Sequence, residues 1–258
     1  MRFKRVVSLS PSITEVLFAL GFEDLVAGVT DACDYPREAN SKPHVCSWFS
    51  PDMDRLLALR PDLVIGLKSA HGRFAPILGS YDFHLELLHP TTIEDALQDM
   101  VKIGDLLAVP SAAHFLVDGL ERRLAKLAES VTELPLEQRL TVMRILDIAD
   151  DELIVAGPQS FQYDVIARAG GINLTSALNP AYPKISFQQL HKWDPAVIFV
   201  CGSDEDYPAR LISHPKLKPL AAVQHSKFYQ FDCGLTCRTG PRIVDMAELL
   251  FRTLYVGK

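Results

Sequence analysis

The chain has 258 residues, of which 48% are hydrophobic and 22% charged, a balance typical of globular proteins rather than of disordered or fibrous ones. Its net charge is -6 and no block of like charge occurs, which argues against nucleic acid or a membrane surface as a partner. No run of about eighteen apolar residues is present, so the sequence predicts no membrane-spanning helix.

The first residues do not resemble an export signal. MRFKRVV begins with basic residues, but the apolar run that follows meets Ser and Pro within a few positions, which is too short for a secretory signal. Two expectations stay open: the protein remains in the cytoplasm, or a leader has been removed from it. The five cysteines are an odd number and do not decide the compartment.

The first half of the chain alternates strand and helix patterns. Alternation of this kind predicts a parallel sheet covered by helices. The strand patterns are RVVSLS, LVAGVT, LVIGL and DFHLELLHP, and the helix patterns are ITEVLFALGF, DMDRLLALR and TTIEDALQDMVKIGDLLAV, the last with Thr91 or Thr92 as its expected cap.

The second half repeats this plan. ELIVAGPQSFQYDVIARAGGINL matches RVVSLSPSITEVLFALGFEDLV, and SFQQLHKWDPAVIFVCG matches DMDRLLALRPDLVIGL. The fold class predicted from this is α/β, with two lobes that each hold a mostly parallel central sheet flanked by helices. The lobes are expected at residues 1–109 and 133–258.

A helical pattern separates the two halves, at residues 110–132. Its leucines recur at intervals of three and four and form an apolar stripe. They are Leu116, Leu120, Leu124 and Leu127. The segment is either one more surface helix or a connector between the lobes.

Five motifs in order carry a family resemblance: RVVSLSPSITEVLFALG, VTDACDYP, LLALRPDLVIG, AGPQSFQYDVIARAGGINL and GPRIVD. With them the chain resembles the substrate-binding proteins of ABC transporters for cobalamin, ferric siderophores and haem, and most closely the cobalamin-binding branch. The resemblance implies two lobes bridged by one long backbone helix and a ligand held between them. It also implies a periplasmic or extracytoplasmic monomer that acts with a permease and ATPase complex.

The resemblance places the ligand at loops that follow the strands. A flat corrin or porphyrin ring favours aromatic walls, for which Tyr35, Trp48, Phe49 and Phe161 are candidates, although Tyr35 and Phe161 could instead fill their own lobes. The predicted ligand-binding residues are Ser10, Pro11, Ser12, Asp31, Ala32, Cys33, Tyr35, Cys46, Trp48, Phe49, His71, Gln159, Phe161, Cys233, Leu235, Cys237 and Arg238. A corrinoid is the first candidate, and haem or a ferric chelate is the alternative.

Docking to a permease in this family uses one acidic residue on each lobe. Asp54 matches the first position, but Cys237 stands where the second acid is expected. Ala32 and Leu235 likewise stand where the cobalamin-binding branch has aromatic residues. These departures keep a second function open, an intracellular sensor or carrier built on the same fold.

Four cysteines lie in the predicted cleft loops: Cys33 and Cys46 in the first lobe, Cys233 and Cys237 in the second. They could ligate a metal or cluster, pair as disulfides, or simply pack. Cys201 ends a predicted buried strand and is expected to pack.

An enzyme is the competing class of function. His71, His89 and Asp31 lie in cleft loops and could do acid-base work, but no hydrolase, metalloprotease or phosphate-binding motif occurs. We therefore expect no catalytic residue and no catalytic cofactor.

Overall fold

The computed structural model describes residues 3–47, 50–149, 151–202 and 207–257. The chain forms two compact α/β units, each with its own sheet. The first contains residues 1–90, 94–121 and 239–241, and the second contains residues 91–93, 122–238 and 242–258. Among the described residues, no helix combines the length and the apolar character that crossing a membrane requires.

The first unit is built on a sheet in the order β4-β3-β2-β1-β5-β6, parallel throughout except between β3 and β4. Its strands are β1 (Val6–Ser8), β2 (Val26–Thr30), β3 (His44–Ser47), β4 (Ser50–Pro51), β5 (Leu63–Leu67) and β6 (His84–Leu88). Its helices are α1 (Pro11–Ala19), α2 (Met53–Ala58), α3 (Lys68–His71), α4 (Ala75–Leu78) and α5 (Ile93–Leu106). The four predicted strands and three predicted helices of this half are confirmed.

The turn from β1 into α1 shows why SLSPS has this conformation. Ser10 is extended, with φ −150°, and Pro11 follows at the first helical position, where its missing N–H costs no hydrogen bond. The helix ends before Gly21, whose φ of +76° is a left-handed conformation that glycine tolerates. Because the turn directly follows β1, it lies at the carboxyl edge of the sheet.

Two segments of the first unit differ from the predicted loops. HVCS forms β3 beside β2, with Cys46 opposite Thr30, and its two central residues are buried. KSAHGR contains helix α3 and the start of a 3-10 turn at Gly72–Phe74. Both segments are short, so their apolar residues show no periodicity, and contacts with neighbouring elements decide their structure.

The second unit is built on a mixed sheet in the order β10-β8-β7-β11-β12, with β9 also paired to β7. Strands β7, β9, β11 and β12 run parallel, whereas β8 is antiparallel to both of its neighbours. The strands are β7 (Thr141–Ala149), β8 (Glu152–Val155), β9 (Ile172–Asn173), β10 (Lys184–Ser186), β11 (Val197–Cys201) and β12 (Phe228–Phe231). The helices that follow are α7 (Phe161–Arg168), α8 (Phe187–Trp193), α9 (Tyr207–Ser213), α10 (Ala221–Gln224), α11 (Cys233–Thr236) and α12 (Ile243–Phe251).

The two halves correspond strand by strand less closely than their sequence patterns predict. That comparison matched ELIV with RVVS, but β7 is the strand that lies beside β11, as β1 lies beside β5. Strand β7 was missed because Arg144 and Asp147 interrupt its apolar residues. The expectation of a mostly parallel sheet holds in both units, since a single strand in each sheet, β4 in the first and β8 in the second, runs against the other five described strands.

The predicted long helix is confirmed as α6 (Pro110–Thr132). Leu120 and Leu127 of its stripe are buried. Its residues up to Glu121 belong to the first unit and those from Arg122 to the second, so the division falls inside the helix. In the second unit, Arg123 Nη2 donates to Glu248 Oε2 of α12 at 2.7 Å.

Each unit has its own apolar core. The first packs Val7, Leu9, Val45, Cys46, Leu56, Val64 and Leu78. The apolar cluster of the second unit is centred on Ile145, Leu153, Leu190, Ile198, Leu217 and Leu220, with Trp193 packed against it. These cores hold the strands whose carboxyl ends carry the candidate residues.

Candidate functional site

The SPS turn of the first unit is rigidly held. Thr14 Oγ1 donates to Ser8 Oγ at 2.8 Å, and Ser8 Oγ donates to the carbonyl of Ser10 at 2.9 Å. The Oγ of Ser12 accepts the backbone N–H of Thr239 at 2.9 Å. Ser10 is buried, and within the described residues its own Oγ has no hydrogen-bond partner. The turn is thus a buried polar element of the first unit whose conformation is fixed by hydrogen bonds.

The Thr-Gly-Pro segment at residues 239–241 belongs to the first unit and packs on this turn. A Cβ at Gly240 would lie 2.9 Å from Glu15 Oε2 and 3.1 Å from the carbonyl oxygen of Ser12, so only glycine fits there. The GP turn therefore has a packing role beside the SPS turn as well as preceding α12.

The two cysteines of the first unit are buried. Cys33 has 1% of its surface exposed, and its Sγ lies 3.2 Å from the Oγ1 atoms of both Thr14 and Thr30. Cys46 lies in the core, where burial, together with the nearby Cys33 and Asp31, raises the pKa of its thiol to about 12. Cys46 was predicted to lie in a cleft loop, and this was wrong because the segment pairs with β2.

The other candidates of the first unit differ in exposure. Asp31 and Tyr35 are exposed and Ala32 is half-buried, whereas His71 is fully buried and its Nδ1 accepts the N–H of Leu67 at 3.1 Å. The helical turn of α3 thus replaces the open loop predicted around His71. Trp48 and Phe49 lie outside the described residues.

The remaining candidates lie on α2 and in the second unit. Asp54 is exposed in the first turn of α2, beside the capping residue Asp52, whose carboxylate accepts the N–H of Arg55. Gln159 is exposed, and its Nε2 donates to Asn179 Oδ1 at 3.3 Å. Phe161 and Leu235 are half-buried, and Arg238 is buried.

Three thiols meet at the carboxyl edge of the second sheet. The sulfur atoms of Cys201, Cys233 and Cys237 all lie within 4.8 Å of one another. Cys201 Sγ and Cys237 Sγ are 3.3 Å apart, and Arg144 Nη2 donates to Cys201 Sγ at 3.0 Å. All three cysteines are half-buried and are not joined by disulfides.

The three thiols of this cluster differ in the direction in which their pKa is shifted. Hydrogen bonds from the Cys233 and Cys237 thiols lower the pKa of Cys201, and the positive charge of Arg144 acts in the same direction. The same contacts with Cys201 raise the pKa of Cys233 and of Cys237. The cluster therefore favours one thiolate, on Cys201, held by two thiols and a guanidinium.

Sequence reasoning misses Cys201 as a member of the cluster, because a cysteine at the end of a predicted buried strand is expected to pack. The signal was present in strand order: β11 and β12 run parallel with Cys201 opposite Phe231, two residues before Cys233. Parallel neighbouring strands bring their carboxyl ends to the same edge, so Cys201 and the cysteines of α11 lie together. The two predicted partners, Cys33 and Cys46, belong to the first unit.

Comparison with known proteins matches residues 6–233 to the model of the periplasmic binding protein family. The chain is 27% identical over 256 residues to a vitamin B12-binding protein of Photorhabdus laumondii, covering 97% of this chain and 87% of the relative. A periplasmic haem-binding protein of Pseudomonas aeruginosa has a similar structure, with a TM-score of 0.87, 25% identity, and coverage of 98% of this chain and 93% of that one.

A further solved structure, the periplasmic vitamin B12 binding protein of Vibrio cholerae, has a TM-score of 0.83 at 22% identity and covers 99% of this chain and 98% of its own. At this identity the similarity shows the fold. It agrees with the two α/β units derived above. Because the family model spans most of the sequence, the chain belongs to the periplasmic binding protein family.

Proposed function

We propose that this protein captures a metal chelate, with a corrinoid as the first candidate, and delivers it to an ABC transporter outside the cytoplasm. The observation that carries the proposal is the match of 97% of the chain to a vitamin B12-binding protein. The preorganised SPS turn and the exposed Asp31 and Tyr35 support it, since ligands of open α/β sheets bind at the carboxyl ends of strands. Capture needs no bond to be made or broken, so no residue is assigned a catalytic role.

Haem is the second candidate ligand. The haem-binding protein of Pseudomonas aeruginosa supports it at a TM-score of 0.87. The residues Ala32 and Leu235, which replace aromatic side chains of the cobalamin-binding branch, also favour a ligand other than cobalamin. A ferric siderophore remains the third ligand to test.

Titration with cobalamin, hemin and a ferric siderophore, followed by tryptophan fluorescence, tests the proposal. One of the three should quench fluorescence with a stoichiometry of one. Replacing Trp48 by Phe should remove most of the quenching, whereas Trp193→Phe should preserve it because Trp193 packs against the core of the second unit. Absence of binding to all three ligands, measured also by equilibrium dialysis, would exclude chelate capture.

Asp54 is proposed as a contact to the permease, since its carboxylate is exposed at the start of α2. Asp54→Lys should lower the stimulation of the transporter ATPase by about tenfold or more, because a like charge would face the permease arginine. Chelate affinity should not change. Asp24→Lys, on another exposed turn of the same unit, is the control, and equal loss in both variants would argue against a docking role.

A further inference from the structure

The three-thiol cluster of the second unit has the geometry of a metal site. The distance from Zn²⁺ to a thiolate is about 2.3 Å, so two thiolates on one tetrahedral ion lie about 3.8 Å apart. The three sulfur atoms already lie within 4.8 Å of one another, with one pair at 3.3 Å. Small side-chain rotations would place all three on one ion.

Arg144 adds a second, independent observation. Its side chain is 2% exposed, yet within the described residues no carboxylate pairs with it. Its guanidinium donates instead to the carbonyl of Ile145 and to the sulfur of Cys201, and its Nε has no partner there. A buried cation is costly unless an anion compensates it, and among the described residues the thiol cluster lies in contact with the guanidinium and can supply negative charge.

The charges select the class of ion. Binding of an ion displaces the protons of Cys233 and Cys237 to solvent. The resulting three thiolates and Arg144 sum to about −2, which a divalent ion neutralises, whereas a monovalent ion leaves one negative charge and a trivalent ion leaves one positive charge. Thiolate ligands favour soft ions such as Zn²⁺ over Mg²⁺ or Ca²⁺. Three protein ligands also leave a fourth position for an exogenous ligand.

We propose that Cys201, Cys233 and Cys237 form a three-thiolate site for a divalent thiophilic cation such as Zn²⁺, with Arg144 balancing its charge. Since the cysteines are half-buried, the ion could enter without unfolding the sheet. Arg144 is a positioning residue that holds the sulfur of Cys201 in place. The site lies wholly in the second unit and does not depend on the identity of the chelate proposed above.

The test uses the full chain, reduced, freed of metal and without any corrinoid or haem. Titration with Zn²⁺ against a chromophoric chelator should give one ion per chain, and titration with Cd²⁺ should give a thiolate-to-metal charge-transfer band in the ultraviolet. Each of Cys201→Ser, Cys233→Ser and Cys237→Ser should weaken Zn²⁺ binding by more than about 100-fold, because changes even in the second shell cost 10–100-fold. Cys46→Ala, which removes a core thiol of the first unit, is the matched control and should bind as the parent does.

The variant Arg144→Gln tests the charge that Arg144 contributes while leaving the three cysteine ligands in place. It should weaken Zn²⁺ binding by about 10–100-fold while the Cd²⁺ charge-transfer band keeps its full intensity at saturation. Should a buried variant fail to fold, alkylation of the unmodified protein provides a second measurement. Zn²⁺ should then protect Cys201, Cys233 and Cys237 from iodoacetamide, as read by mass spectrometry.

Several results would overturn the proposal: no stoichiometric Zn²⁺ or Cd²⁺ binding, undiminished binding by Cys201→Ser, or no protection of the three thiols. Stoichiometric binding of Cu⁺ with none of Zn²⁺ would overturn the assignment to a divalent ion. No chelate is present in these experiments, so none of their results tests the proposed chelate capture. That proposal is tested separately by the titration with cobalamin, hemin and a ferric siderophore.

Discussion

Asp99 on α5 is a partly buried acidic side chain of the first unit. Its Oδ2 is buried, and within the described part of the chain it has no hydrogen-bond partner. Burial raises the pKa of its carboxyl from 3.8 to about 6, with nearby Asp95 and Glu86 acting in the same direction and Lys102 opposing them. Between these two values the folded chain keeps a proton that the unfolded chain has lost, so stability falls as pH rises through this window.

Replacing Asp99 by Asn should therefore stabilise the protein near neutral pH by roughly 1 kcal/mol, after allowance for solvent screening of a partly exposed group. Near pH 4 most of the gain should be lost, since the carboxyl of the folded chain is then protonated and about 40% of the unfolded chains carry the same proton. Thermal denaturation at both pH values measures this, with the exposed Asp105→Asn on the same helix as control. An equal gain at both pH values would contradict the assigned cause.

The five cysteines divide by environment rather than by spacing along the chain. Cys33 and Cys46 are buried in the first unit, one beside two threonine hydroxyls and the other in the core. The remaining three share one edge of the second sheet beside a buried guanidinium. Burial alone makes the first pair inert, whereas the other three are accessible enough for ligation.

At the scale of elements, the contact between α5 and α6 in the first unit depends on one glycine. A Cβ on Gly104 would lie 2.3 Å from the Cβ of Ala113. Ala113 is fully buried, so neither helix can yield without disturbing the packing around it. The close approach fixes where α6 begins to pack.

Gly104→Ala should lower the free energy of unfolding by about 1–3 kcal/mol, because the added methyl group overpacks this contact. Denaturant unfolding followed by circular dichroism measures the change. Gly72→Ala is the matched control, since its Cβ would meet only Lys68 Cγ at 3.6 Å, an ordinary contact. If both substitutions proved neutral, the close helix contact would not be the constraint described.

At the scale of the whole molecule, each of the two units has its own apolar core, and helix α6 is divided between them, with residues up to Glu121 in the first unit and residues from Arg122 in the second. Each core packs against the sheet of its own unit, and the cysteine cluster and the SPS turn belong to different units.

A ligand that binds only the folded protein raises the free energy of unfolding by an amount that depends on the ligand concentration relative to Kd. A saturating chelate should therefore raise the thermal midpoint by several degrees, corresponding to about 2.7 kcal/mol at about 100 times Kd. Scanning calorimetry with increasing corrinoid or hemin would measure the shift. A metal-free analogue of the same ring is the control for the role of the metal. A midpoint that does not depend on concentration for any chelate would argue against specific capture by the folded chain.

Much of the fold could be predicted because local patterns were strong. LVIGL and VVS are continuous apolar runs bounded by turn residues, and the leucine stripe of α6 recurs at helical spacing over several turns, so local sequence patterns identified them. HVCS was missed because it is short and polar at both ends, and β7 because Arg144 and Asp147 interrupt its apolar side. Strand pairing, rather than local preference, decides both.

For the candidate site, the sequence by itself determined the SPS turn, the exposed Asp54 and the presence of cysteines in the last loop of the second half. Only the tertiary structure decided that Cys46 lies in the core and that Cys201 joins Cys233 and Cys237. The reason is physical: the register of parallel strands, and the burial of Arg144 against them, place residues distant in sequence at one edge of the sheet. No local pattern encodes that juxtaposition.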